Sequence, residues 1–178
     1  MASNSRCESS NPNRDGMAKA VGLVVLNWAS AEQNLDMVVA WLWHELGGKK
    51  PGKKIPFFLK EKLKFIRASI NSDASLRSLS AEAGPVLDDV ARLSELRNDL
   101  VHGAPAFIGE QEGHYVFCKF DLADGFHEVR EVRMNVERYP EVTRELVALT
   151  RKTLELVKGV RDIALKRRSN QFGAKGCP

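Results

Sequence analysis

The sequence is poor in cysteine and has no long apolar run. Its three cysteines, Cys7, Cys118 and Cys177, are odd in number and too far apart for a disulfide framework or a zinc ligand set. The longest apolar run, 37–43, is too short to cross a bilayer, and residues 1–16 lack the apolar stretch of a signal peptide. These absences predict a cytoplasmic protein that is neither exported nor embedded in a membrane.

Cofactor and metal motifs are also missing. The chain has no P-loop and no Gly-x-Gly-x-x-Gly segment. His44, His114 and His127 each lack a second ligand at a helical or strand-alternate spacing, so the sequence predicts no metal site. Asp88-Asp89 is interpreted as charge early in a helix rather than as a pair of catalytic carboxylates. We therefore expect no cofactor and no metal.

What is present is the composition of one globular domain. The chain has 178 residues, of which 43% are hydrophobic and 28% charged, which is typical of a folded domain. There is no internal repeat and no second composition regime. The small polar residues of 1–16 and 169–178 predict disordered tails, so the sequence predicts a single domain over 17–168.

Positive charge is concentrated in two places. The net charge of +4 belongs to residues 161–178, and the stretch 49–67 holds seven lysines and Arg67 against Glu61 alone. Such an excess attracts a polyanion. The stretch therefore supplies candidate RNA-binding residues, namely Lys49, Lys50, Lys53, Lys54, Lys60 and Lys64. The alternative is a lysine-rich loop followed by a solvated helix face.

Apolar residues recur at helical spacing through most of the domain. A long first helix is predicted to end at Gly47-Gly48, and Pro56 is predicted at the first position of the second helix. Pro85 is expected to interrupt the third helical region, and Gly103 to end the fourth. The predicted helices are 17–46, 56–72, 75–83, 85–102 and 136–168.

The helical period is lost over about 105–134, where strand-forming residues appear between turn signals. The pattern predicts a three-stranded antiparallel meander, inserted before the last long helix, with strands near 107–108, 115–120 and 129–134. In the middle strand, Val116, Cys118 and Phe120 are expected on one face, and Tyr115, Phe117 and Lys119 on the other. Val129 and Val132 are expected on opposite faces of the third strand.

Two charged residues lie on apolar helix stripes. Arg97 projects from the apolar side of the fourth helix, and Glu32 lies within the apolar stripe of the first helix. A buried guanidinium and a buried carboxylate each need a partner. The sequence therefore predicts an ion pair between Glu32 and Arg97, which would join the two helices.

The segment ELRNDLVHG, 95–103, resembles the Arg, polar, three-residue gap, His signature of the HEPN domains (higher eukaryote and prokaryote nucleotide-binding), and the preceding long helix with Trp28 and Glu32 resembles their first helix. The resemblance implies a mainly α fold, an up-and-down bundle of four to five helices with the small β meander inserted before the last one. It also implies a homodimer, and an endoribonuclease that needs no metal, in a toxin or phage-defence system with an antitoxin or defence-system partner. Ala104 stands where HEPN toxins paired with a nucleotidyltransferase antitoxin usually have a tyrosine, so that pairing is not implied.

The implied site residues suit RNA cleavage. A 2′-OH can attack the adjacent phosphorus if a group with a near-neutral pKa moves its proton and a cation offsets the phosphorane charge. His102 is the expected base, Arg97 the charge stabiliser, and Asn98, one turn before His102, an orienting group. Arg97 lies about 140° around the helix from His102, which favours a dimer that completes the site. The alternative is a catalytically silent bundle that serves in dimerisation, partner binding or nucleotide sensing.

Overall fold

The computed structural model describes residues 12–48, 54–105, 113–123 and 126–173. Within these ranges the chain is mainly helical, with four α-helices, two short 3₁₀ helices and a three-stranded antiparallel sheet before the last helix. The helices are α1 (Pro12–His44), α2 (Leu59–Ser72), α3 (Ser80–His102) and α4 (Tyr139–Gly173), the 3₁₀ helices are Ala74–Leu79 and Val136–Arg138, and the strands are β1 (Ala104–Pro105), β2 (His114–Ala123) and β3 (Phe126–Asn135). The predicted mainly α fold with a β insert is confirmed.

The two longest helices, α1 and α4, run side by side in the same direction. Tyr139 at the start of α4 donates its hydroxyl hydrogen to the Ala20 carbonyl, and Arg167 near its end donates to the Leu46 carbonyl. Helix α2 also runs in the direction of α1, since Lys62 near its start binds Asp36 and Ser69 near its end lies beside Gly48. Consecutive helices of an up-and-down bundle are antiparallel, so that part of the prediction is wrong. The cause is the long connection 45–58 before α2, since only short loops force neighbouring helices to be antiparallel.

A buried polar cluster joins α1 to α4 near their middles. The Asn34 side-chain amide donates to the Thr150 carbonyl at 3.1 Å and to the Thr153 hydroxyl at 3.0 Å, and Asn34 and Thr153 are both buried. Apolar side chains of α1, α2, α3 and α4 surround this cluster and form one core with the inner face of the sheet.

The first helix begins earlier than predicted, and the last helix ends later. Helix α1 begins at Pro12, and α4 continues to Gly173, so residues 12–16 and 169–173 are helical rather than parts of tails. Polar residues can extend a helix once its neighbouring turns are packed, because propagation costs far less than nucleation. The tail predictions for 1–11 and 174–178 lie outside the described residues.

Pro56 and Pro85 lie at different places relative to the helix ends from those predicted. Helix α2 begins at Leu59, three residues after Pro56, because the backbone of Phe58 is still extended. Pro85 lies inside α3 without ending it, so the predicted break after Gly84 is wrong, and the short helix predicted over 75–83 is a 3₁₀ helix followed by α3. Near a helix start proline removes one backbone hydrogen bond, and Gly84 has no Cβ to clash with its ring.

The sheet packs against the end of α3 through one face. Strand β2 pairs with both β1 and β3 in antiparallel register. Tyr115 and Phe117 are buried against the helices, which defines the inner face, whereas Phe120 is exposed on the outer face as predicted. Val116, predicted on the same face as Phe120, is buried as well. The predicted strand 107–108 lies outside the described residues, and the first strand there is Ala104–Pro105.

Gly103 follows α3 as predicted, but for a different reason. Its φ is −79°, not a left-handed value. A Cβ at this position would lie 2.6 Å from the Asp99 carbonyl oxygen and 2.8 Å from the Phe117 Cβ. Glycine is needed because β2 crosses directly over the helix end.

Candidate functional site

The three motif residues lie in the last two turns of α3. His102 is the final residue of the helix and is exposed, whereas Arg97 and Asn98 are half-buried. The Arg97 guanidinium donates a hydrogen bond of 2.8 Å to the amide oxygen of Asn98. Because that amide is neutral, the charge of Arg97 is not compensated by this contact. In the described part of the chain, no hydrogen bond joins Asn98 to His102.

The predicted ion pair between Glu32 and Arg97 does not form. Glu32 instead accepts a hydrogen bond of 3.0 Å from the Trp28 indole and lies 3.8 Å from the Lys62 ammonium. The sequence pattern identified two charges on apolar helix stripes, but it did not give the position of each charge along the bundle axis, here called its level.

The levels follow from contacts with α4. Asn34 of α1 and Asp89 of α3 bond the same stretch of α4, through Thr153 and Lys152. Glu32 therefore lies near the level of Asp89, and Arg97 is eight positions farther along α3, or about 12 Å. A partner for Glu32 comes from α2 instead, where buried Lys62 also binds Asp36 at 2.5 Å.

An ion cluster beside the motif was missed by sequence reasoning. Asp99 lies between Asn98 and His102, 3.1 Å from the Lys119 ammonium of β2 and 2.7 Å from the Arg130 guanidinium of β3. Burial alone would raise the pKa of Asp99, but the hydrogen bonds from Lys119 and Arg130 outweigh it and hold the pKa below its ordinary value. The available signal was Lys119, a charged residue on the face of β2 that otherwise carries buried aromatic residues.

The cluster ties the end of α3 to two strands, which leads to a prediction. Replacing Asp99 by asparagine is expected to lower the free energy of unfolding by about 1–2 kcal/mol at pH 7, since charge-assisted hydrogen bonds are lost at a mostly buried carboxylate. A carboxyl with a depressed folded-state pKa stabilises the fold above its unfolded pKa, near 3.8, and this contribution disappears as the pH falls through the folded-state value.

Chemical denaturation of both proteins at pH 7 and below pH 3 measures this difference. The two unfolding free energies should converge in acid. Asp88→Asn is the matched control, because Asp88 is on the same helix but forms an exposed ion pair with Arg67, and such pairs contribute little. A difference for Asp99→Asn that is unchanged in acid would contradict the assignment of the stabilisation to the carboxylate.

The candidate RNA-binding lysines are only partly described. Lys54 is exposed before α2, and Lys60 and Lys64 are exposed on α2, whereas Lys49, Lys50 and Lys53 lie outside the described residues. Lys62 of the same stretch is buried and bound to Glu32 and Asp36, so it faces the interior.

The exposed lysines of α2 are far from His102. Lys62 lies beside Asp36 of α1, whereas Gly103 shares a cleft with Met17 of α1. The nineteen positions from 17 to 36 correspond to about 28 Å along the helix axis. One phosphate therefore cannot contact both places, and a single strand that contacts both must be several nucleotides long.

An apolar cleft of about 450 Å³ adjoins the other side of the end of α3. It is lined by α1, by Leu100 and Gly103, and by the strands, and Arg14 is the one charged residue among the described residues of its lining. His102 does not line it, since it projects about 200° around the helix from Leu100. The cleft and the motif are thus on different sides of α3.

Other candidate residues are scattered. His44 is exposed at the end of α1 and His114 is exposed in β2, at different ends of the bundle, and the side chain of His127 is not described. Among the described residues, no group of three His, Cys, Asp or Glu side chains has the spacing of a metal site. None of the helices in these ranges is both long and apolar enough to span a membrane.

Comparison with known proteins leaves the family open. No protein-family model matches the chain, and neither a curated protein nor a solved structure is significantly similar to it.

Proposed function

We propose that the protein is a metal-independent endoribonuclease of HEPN type, whose site is formed by Arg97, Asn98 and His102 at the interface of a homodimer and which acts in a toxin or phage-defence system. The observation that carries the proposal is the environment of His102 and of Arg97. His102 is exposed at the end of α3, and Arg97 contacts a neutral amide instead of the carboxylate of Glu32. An imidazole open to solvent and an uncompensated guanidinium are the groups that such a reaction requires.

The proposed reaction uses the substrate's own nucleophile. His102 accepts the proton of a ribose 2′-OH, the 2′ oxygen bonds to the adjacent phosphorus, and the bond from phosphorus to the 5′ oxygen breaks. Arg97 of the second chain in a homodimer offsets negative charge on the phosphorane, since Arg97 of the same chain lies about 140° around α3 from His102, and Asn98 holds the guanidinium in place. The 5′ oxygen leaves with a proton from solvent. The products are a 2′,3′-cyclic phosphate and a free 5′-OH.

A second candidate is a bundle that binds RNA or nucleotide phosphate without cleaving it. It is favoured by the position of Arg97, which lies about 140° around α3 from His102. A phosphate held by Arg97 of one chain is then turned away from His102 of the same chain. Under this alternative, Arg97 is a binding residue and His102 is a polar helix end.

Incubation of the purified protein with single-stranded RNA in excess chelator separates the two. Cleavage that persists in chelator and yields cyclic phosphate ends supports the nuclease. Binding of RNA without cleavage, lost in Arg97→Ala and kept in His102→Ala, supports the binding module and contradicts the nuclease.

The role of the α2 lysines is tested separately. The double variant Lys60→Ala/Lys64→Ala is expected to reduce the slope of log affinity against log salt by about 1.4 on a long single strand, because two phosphate contacts are lost. Cleavage of a dinucleotide should be unchanged, since a strand that short cannot span the distance of about 28 Å from the end of α3 to α2.

The matched control is Lys152→Ala/Lys158→Ala, which removes the same charge from α4. Both of those lysines already bind carboxylates, Asp89 and Glu155. An equal change of salt slope in the control would show that total charge, not the α2 surface, determines RNA affinity.

A further inference from the structure

Strand β3 has one open edge. The sheet order is β1-β2-β3, and all ten residues of β3 pair one-to-one with β2 without a bulge. Within the described ranges no strand pairs with the opposite edge of β3. A row of backbone N–H and C=O groups is therefore available to another strand.

This edge lacks several of the features by which proteins block pairing, although it carries four charged residues, Glu128, Arg130, Glu131 and Arg133. The segment Phe126–Asn135 has no proline, glycine or lysine, and its register is continuous. Natural edge strands are more often short, bulged, interrupted by proline or lysine, or protected by charged side chains. In β3 the charges are of both signs, so they can pair with those of a second strand in a suitable register. A regular ten-residue edge strand is thus suited to pair with another chain.

The charged residues of β3 are complementary to those of a second, antiparallel copy of the same strand. Glu128 and Arg130 are both exposed and lie on the same face as the end of α3. In an antiparallel pair centred on Val129, residue 128 of each strand lies opposite residue 130 of the other. Two opposite-charge contacts result.

The outer face adds an apolar pair at the same level. Phe120 and Val129 are directly opposite in β2 and β3 and are 70% and 55% exposed. Pairing centred on Val129 places the two valines next to each other. The four side chains then form one apolar row across a six-stranded sheet.

We propose that β3 pairs antiparallel with β3 of a second copy of the chain, with the two-fold axis at Val129. A symmetric contact of this kind is the commonest form of dimer. A register centred on Arg130 opposes two arginines. One centred on Val132 pairs Glu131 with Arg133 but sets Val129 opposite Asn135 and interrupts the apolar row.

The interface has a geometric consequence for α3. An axis perpendicular to the sheet keeps the inner faces of both copies on the same side. Asp99 binds Arg130 on that face, so the two α3 ends lie on one side of the joined sheet, flanking the axis. The interface itself does not depend on RNA cleavage.

Disulfide trapping tests the register. With Cys7, Cys118 and Cys177 replaced by serine, Val129→Cys should form an intermolecular disulfide under mild oxidation, since opposite Cα atoms in antiparallel strands are about 4.5–5.5 Å apart. Val132→Cys is the matched control on the opposite face of β3, and it should form no intermolecular disulfide. Trapping at 132 alone, or at neither position, overturns the proposal.

Charge reversal tests the interface without cysteine. The natural chain should have twice its mass of 19.9 kDa in sedimentation, and Glu128→Arg should weaken the dimer about tenfold or more, because two attractions become repulsions. Glu137→Arg makes the same charge change at an exposed residue beyond the strand and should have no effect. A monomeric natural chain, or equal weakening by both variants, overturns the proposal, and RNA cleavage plays no part in either readout.

Discussion

His102→Ala is expected to slow RNA cleavage by about 10²–10⁴-fold, the usual contribution of a positioned general base. The side chain is exposed at the end of α3 and joins no described hydrogen bond, so its removal should leave the fold and RNA affinity nearly unchanged. The measurement is the single-turnover rate on a fluorescent single-stranded RNA in excess chelator. Circular dichroism confirms that the variant is folded.

The control is His44→Ala. His44 is also an exposed histidine at the last position of a helix, but α1 ends far from α3's last turn. Its loss should leave the rate unchanged. If both variants cleave at the natural rate, His102 is not the base, and the second candidate function is favoured.

Phe117→Ala is expected to lower the free energy of unfolding by about 3–5 kcal/mol, the usual cost of removing a buried phenyl ring and leaving a cavity. Phe117 is 1% exposed and lies over Gly103 at the junction of β2 and α3. Because a domain has a total stability of about 5–15 kcal/mol, the loss is large. Equilibrium denaturation followed by circular dichroism measures it.

Phe57→Ala is the matched control for Phe117→Ala. Phe57 is 78% exposed before α2, so its truncation should change the unfolding free energy by less than about 0.5 kcal/mol. If the two variants lost equal stability, the packing of the sheet on α3 would not be the source of the effect.

Local patterns in the sequence predicted the elements well where one turn or one strand contains the signal. Gly47, which has a φ of 62°, follows the first helix, and Phe117 and Phe120 lie on opposite faces of the sheet. These features depend on residues close together in sequence, whose geometry is fixed by backbone sterics and side-chain period.

Properties that depend on distant segments were predicted poorly. The parallel course of α1 and α4 depends on where the connection 45–58 leads, and the pairing of Glu32 with Lys62 depends on the level of α2 along α1. Period and composition contain no information on the axial position of one helix against another. The Asp99 cluster was missed for the same reason, because its cations come from two later strands.

The amide of Asn34 has a consequence for the alignment of the two longest helices. A purely apolar contact between two helices allows one helix to shift by one turn along the other, since leucine and valine pack about equally well against several neighbours. A shift of α4 by one turn would move Thr150 and Thr153 about 5.4 Å from Asn34. The two N–H groups of the buried Asn34 amide would then lose their acceptors, at a cost of about 1–3 kcal/mol. One asparagine thus selects a single axial position of α4 relative to α1 among several that hydrophobic packing alone would allow.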